Sequence, residues 1–118
     1  MSLTVNAKSY AADGFATNSV HFQGPAQTTT VKDGLIQKTY PAKATASSSG
    51  KTGFLLKFAR SHTLTGAKET VGDGSLEIRL TTPVGVSDAD RDSYLDDAGV
   101  YLSSAAFKAA VKSGQPNG

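Results

Sequence analysis

The chain has 118 residues, enough for one domain (residues 1–118) with a real core, yet few enough that a second subunit could supply much of the burial. Cysteine is absent, which excludes disulfides and thiolate metal sites; no apolar run approaches membrane length and Met1 to Tyr10 lacks a signal-peptide core, so a soluble protein is expected. Twelve Lys/Arg against ten Asp/Glu leave a formal charge of only +2, too weak to identify a nucleic-acid binder, but the charge is segregated: Lys32 to Arg60 holds six Lys/Arg and one acid, Asp88 to Asp97 five aspartates and one arginine.

Leu3 to Ala7 alternates apolar and polar residues and predicts a short strand; Ala12-Asp13-Gly14 predicts a turn into a second strand around Ser19 to Gln23, giving an N-terminal hairpin. Gly24-Pro25 breaks the chain. Thr28 to Lys32 is β-prone, and Asp33-Gly34 is a turn signal before a strand at Leu35 to Thr39. Tyr40 to Ser47 reads as a further strand with Pro41 near its start, followed by the turn SSSGKTG. Phe54 to Arg60 is the strongest strand, extending toward His62 to Thr65; after a Gly-bounded loop from Gly66 to Gly74 comes Ser75 to Thr82, ended by Pro83.

The segment from Ser87 to Gly114 predicts two consecutive helices. Ser87 with Asp90 three residues on resembles a capping box, and Asp88, Asp90 and Asp92 suit the positive end of the helix dipole. Tyr94, Ala98, Tyr101, Leu102 and Ala105 recur at helical spacing and form an apolar stripe. Ser103 and Ser104 offer a second N-cap, Phe107, Ala110 and Val111 line one side of a short final helix, and Gly114 with Pro116 stops it.

Side chains alternate across a sheet, so parity sorts the strands into two faces. Phe54, Leu56 and Phe58 share a face, as do Leu76, Ile78 and Leu80, and Ala42, Ala44 and Ala46; this face needs covering. The opposite parity presents Lys43, Thr45 and Ser47, then Leu55, Lys57 and Ala59, then Glu77, Arg79 and Thr81: polar, hydroxyl-rich and modestly basic. The fold class is therefore α+β: an N-terminal hairpin, an antiparallel sheet of about five strands, and two C-terminal helices.

Catalytic signals fail on inspection. Ser49-Gly50-Lys51-Thr52 ends like a phosphate-binding P-loop, but Thr45 stands where that motif needs glycine and a strand follows where it needs a helix. Asp88, Asp90 and Asp92 have the spacing of a calcium loop's first ligands, but Ser93 replaces the required glycine and Gly99 the terminal glutamate, so helix capping explains them. His21 and His62 have no spaced ligand partner, and no nucleophile elbow occurs. No metal or cofactor is expected. Lys43, Lys57 and Arg79, interleaved with Thr45, Ser47 and Thr81, offer charge for phosphates and hydroxyls for sugars or base edges.

From the strand SLEIRLTT into SDADRDSYLDDAGVYLSSAAFKAAVKSGQP, and in KATASSSGKTGFLLKFARS, the chain resembles the coat proteins of single-stranded RNA bacteriophages, the levivirus coat protein family, over residues 40 to 118 and more loosely before. The resemblance implies an obligate, intertwined homodimer: two sheets join edge to edge, and the helices of each subunit cross to the partner's sheet. The dimer interface is then Tyr94, Ala98, Tyr101, Leu102, Ala105 and Phe107 against Phe54, Leu56, Phe58, Leu76, Ile78 and Leu80. It further implies an icosahedral shell, assembled in the bacterial host cytoplasm, whose inner face binds single-stranded viral RNA, including a hairpin through which the coat protein represses replicase translation. Carried onto this chain, the RNA-binding positions are Lys43, Thr45, Ser47, Lys57, Glu77, Arg79 and Thr81, the same set that parity selects. No enzymatic activity, small-molecule substrate or membrane partner is implied. Two other readings remain: an RNA-binding homodimer that builds no shell, and, least supported, a small enzyme using His62.

Overall fold

A computed structural model describes residues 2–116. Six strands, β1 (Ser2–Val5), β2 (Lys8–Ala16), β3 (Ser19–Gln23), β4 (Asp33–Tyr40), β5 (Lys51–Thr63) and β6 (Val71–Pro83), pair antiparallel in sequence order. Two helices follow, α1 (Asp88–Leu102) and α2 (Ala105–Ser113). The class is α+β as expected, with six strands instead of about five. The chain divides into a sheet unit ending at Val84 and a helical unit beginning at Gly85.

The N-terminal hairpin turns earlier than expected. Asn6 and Ala7 both take positive φ (51° and 62°), the backbone of a two-residue hairpin loop whose twist matches the strands, and Val5 pairs with Lys8 across it. Asp13-Gly14, expected as the turn, instead forms an irregularity within β2, where the register shifts between Ala12 and Gly14. An extra residue absorbed as a bulge uses the same permissive residues as a turn. A second two-residue loop, with Asn18 at φ 62°, then leads into β3.

Residues 24–32 form an irregular loop, not a strand, and Asp33-Gly34 opens β4. The loop is held by its own polar groups. Asp33 Oδ2 accepts from the Ala26 amide at 3.1 Å, the Gln27 carboxamide accepts from the Asp33 amide at 2.8 Å, and Thr28 Oγ1 accepts from the Val31 amide at 3.0 Å. A Cβ at Gly24 would overlap the Asp33 carboxylate, so only glycine permits this approach.

On one face of the sheet, Tyr10, Phe22 and Leu35 are buried and form the core, with Leu3, Val5, Ala12, Val20, Leu56 and Phe58 packed around them. Arg60 in β5 donates from Nη2 to the Tyr10 hydroxyl in β2 at 3.2 Å and places Nε 3.6 Å from Asp33 Oδ1. A flat sheet would hold β2 and β5 three strand spacings apart, about 14 Å, a span that these two long side chains close across the face and that the curl of the sheet shortens.

The helical unit follows the capping rules. Ser87 accepts from the Asp90 amide at 3.2 Å to start α1, Ser104 accepts from the Phe107 amide at 3.2 Å to start α2, and Gly114 ends α2 in the left-handed conformation at φ 73°. At the break, the Tyr101 and Phe107 rings lie 5.0 Å apart and tilted by 52°. Neither helix contains a buried residue.

Candidate nucleic-acid interface

The pairing registers turn the opposite sheet face into a grid. One cross-strand row reads Gly14, His21, Ile36, Lys57, Glu77; the next reads Ser19, Lys38, Leu55, Arg79; the third reads Tyr40, Gly53, Thr81, and Lys51 stands opposite Pro83 beyond it. Parity therefore placed Lys57, Glu77, Arg79 and Thr81 together correctly. Adjacent strands lie about 4.8 Å apart, so the cations of β4, β5 and β6 fall within a patch about 10 Å wide.

Lys43, Thr45 and Ser47 are not part of that grid. Residues 41–50 form a loop, so none of the three lies on a strand beside Lys57, and Ala42, Ala44 and Ala46 share no sheet face. The reason is Pro41: it has no N–H to donate and forces Tyr40 to remain extended, so β4 ends there. Beyond it the Thr45 amide donates to the Ser48 carbonyl at 2.7 Å, and a Cβ at Gly50, itself at φ 87°, would overlap the Lys43 backbone. The loop folds on itself around that glycine.

The cation that β4 supplies is Lys38, exposed beside Leu55. It was missed because the charge was sought one strand later in the chain, and its parity with Ile36 and Tyr40 was the available signal. Leu55, only 7% exposed, is buried on this face, as Ser19 is at the other end of its row, and stands between Lys38 and Arg79 in register. Long cationic side chains shelter apolar surface with their stems while their charges stay in water.

Two contacts organise the charge. Lys57 Nζ lies 3.6 Å from Glu77 Oε1, with side chains 34% and 56% exposed, an ion pair that contributes little to stability but reduces the net charge of its row. Arg79 lies over the Tyr40 ring, its guanidinium carbon 4.9 Å from the ring centroid. Lys38 and Lys51 enter no ion pair within 4 Å in the described residues. The face thus carries Lys38, Lys51, Lys57 and Arg79 with Glu77 as the acid in their midst, a surface suited to a polyanion. Among the described residues no cluster of three or more His, Asp or Glu could hold a metal, and no helix is long and apolar enough to cross a membrane.

The apolar set is in register on the core face: Phe54 opposite Leu80, Leu56 opposite Ile78, Phe58 opposite Leu76. Leu56 and Phe58 reach the core, whereas Phe54 and Leu76 remain 42% and 47% exposed. Of the helical set, Tyr94, Ala98, Tyr101 and Ala105 are exposed and Leu102 and Phe107 half-buried. At about 100° per residue, Leu95 borders this stripe beside Leu102 whereas Val100 projects away from it, so α1 carries exposed apolar groups on more than one side.

No protein-family profile matches the chain, and no curated protein sequence matches it. Solved structures do. The chain is similar to a virus-like particle of Wenzhou levi-like virus 4, with 18% identity over 98% of this chain and 75% of that one, at a TM-score of 0.72. It is similar to virus-like particles of bacteriophage ESE058 (11% identity, 100% and 97% coverage, TM-score 0.72) and bacteriophage AVE019 (15% identity, 100% and 96% coverage, TM-score 0.70). At these identities the likeness establishes the fold, and it spans nearly the whole chain.

Proposed function

We propose that this chain, which has the fold of a levivirus-type coat protein, is itself a coat protein: a single-domain subunit that dimerises and assembles into an icosahedral shell around single-stranded RNA. The observation that carries the reading is the likeness over nearly the full chain to structures whose subject is a virus-like particle. Its role is structural, with no catalytic step.

Two features of the chain support self-assembly. The sheet unit leaves Phe15, Phe54 and Leu76 open, and the helical unit leaves Tyr94, Leu95, Val100, Tyr101 and Val111 open. Exposed apolar groups in this number mark a surface that another chain covers. In the proposed intertwined dimer, the helices of one copy cross to the partner and cover Phe54, Leu56, Phe58, Leu76, Ile78 and Leu80. The opposite face is then turned to RNA, with Lys38, Lys57, Arg79 and Thr81 contacting phosphates and sugars, Glu77 tempering Lys57, and Lys43, Thr45 and Ser47 reaching in from the loop. Repression of replicase translation through an RNA hairpin would use this same face.

Electron microscopy of the chain expressed alone tests the reading. Closed, nuclease-resistant particles containing RNA are expected; a stable monomer of 12.2 kDa at micromolar concentration would overturn it. A small discrete RNA-binding oligomer would point instead to a module that builds no shell.

A further inference from the structure

Among the described strand positions of the polar face, Tyr40 is the one Phe, Tyr or Trp, the imidazole of His21 lying on another row, and its surroundings are specific. It pairs across the sheet with Gly53, and a Cβ at that glycine would stand 3.3 Å from the ring's Cδ2 and from the Tyr40 Cβ. Pro41 holds Tyr40 extended at the end of β4. Tyr40 is 39% exposed, and its ring lies beneath Arg79 of β6, two strands away, at 4.9 Å. Lys38 stands two residues back on the same face.

We propose that Tyr40 is a stacking platform for one unpaired nucleobase, with Arg79 as its removable cap; this rests on the RNA reading of the face. An exposed cation–π contact is weak, whereas stacking of a base on an aromatic ring is among the stronger sequence-tolerant contacts a protein makes to single strands. A base that takes the ring displaces the guanidinium, and the freed Arg79 neutralises a phosphate of the same strand. Exchange of one partner for two makes the site favour single strands, since a base within a duplex offers no free face. A ring that merely shields Gly53, as aromatic residues do for glycines in sheets, would have no such preference.

The test is a titration of the full chain with a short labelled oligouridylate and with duplex RNA at several salt concentrations. Tyr40→Leu should weaken single-strand binding about tenfold while leaving duplex binding and the salt slope unchanged, and Tyr40→Phe should restore it. Arg79→Gln should lower the salt slope by about one counterion. Equal single-strand affinity of Tyr40→Leu and the parent, with Lys57→Glu still harmful, would overturn the platform and leave the RNA reading standing. Binding insensitive to salt and to Lys38→Glu and Lys57→Glu would overturn both. Should Tyr40→Leu fail to fold, oligouridylate carrying 5-bromouracil decides on the parent chain: a photo-crosslink at Tyr40 is expected, and crosslinks confined to other residues would overturn the platform.

Discussion

The core face of the sheet has two ends that differ in kind. Around Tyr10, Phe22 and Leu35 the chain covers itself: Tyr10 and Leu35 are 0% and 1% exposed, and Arg60 lies against Tyr10 and Asp33. Away from that cluster the same face stays open, with Phe54 at the start of β5 at 42%, Leu76 on the edge strand β6 at 47%, and, beside Phe54, an open depression of about 280 Å³ lined also by Phe15, Val20, Gln37 and Thr39. One region is closed by the chain's own side chains, whereas the other exposes apolar groups that the chain does not cover. In the proposed assembly, such a subunit would complete its burial against a second copy.

Substitutions at the closed end should therefore act on folding. Leu35→Ala is expected to cost about 2–5 kcal/mol, seen as a lower denaturant midpoint, because the curled strands cannot collapse into the space. Asp33→Ala comes next. It removes the acceptor of the Ala26 amide and the partner of Arg60, and should cost about 1–3 kcal/mol in the same measurement, with faster proteolysis within residues 24–32. Equal losses from Leu76→Ser would erase the distinction between the two ends.

At the open end the expected loss appears in assembly. Phe54→Ser and Leu76→Ser should change the denaturant midpoint of the dissociated chain by less than about 1 kcal/mol, as at other exposed positions. Size exclusion should nevertheless show smaller species than the parent. A parent-like profile for both variants would mean that this face is not covered by a second copy.

How much of this was legible in the sequence follows from the range of the interactions. The helix caps at Ser87, Ser104 and Gly114 are local chemistry, written within three or four residues, and they stand where the sequence puts them. The faces of β5 and β6 are a matter of parity within long strands and were equally readable. Residues 40–47 were not: alternating Ala, Lys, Thr and Ser suits a strand or a loop, and only the missing N–H of Pro41 decides. The hairpin at Asn6-Ala7 was hidden because alanine rarely takes positive φ, while Asp13-Gly14 advertised a turn that the bulge used instead. Tyr40 went unnoticed because its partners come from elsewhere in the chain: Gly53 and Arg79 become its neighbours only through two pairing registers.

The smallest expected effect lies outside both ends, where the loop before β4 meets the β5–β6 hairpin. Lys32 Nζ lies 3.1 Å from Asp73 Oδ2, the Ser61 hydroxyl donates to Asp73 Oδ1 at 2.9 Å, and the same hydroxyl accepts from the Lys32 amide at 2.9 Å. The hydrogen bond from Lys32, then that from Ser61, hold the Asp73 carboxyl below its ordinary value. A carboxyl whose folded pKa is depressed stabilises the fold above its unfolded pKa, about 3.9, and that contribution is lost as pH falls through the folded value. The Asp73 side chain is 57% exposed, so solvent and salt keep the effect small. The parent should thus exceed Asp73→Asn slightly in thermal midpoint at neutral pH and converge with it below about pH 4, the gap shrinking with added salt. A gap that persists in acid would assign the difference to the amide's geometry. A gap confined to acid would contradict the depressed carboxyl.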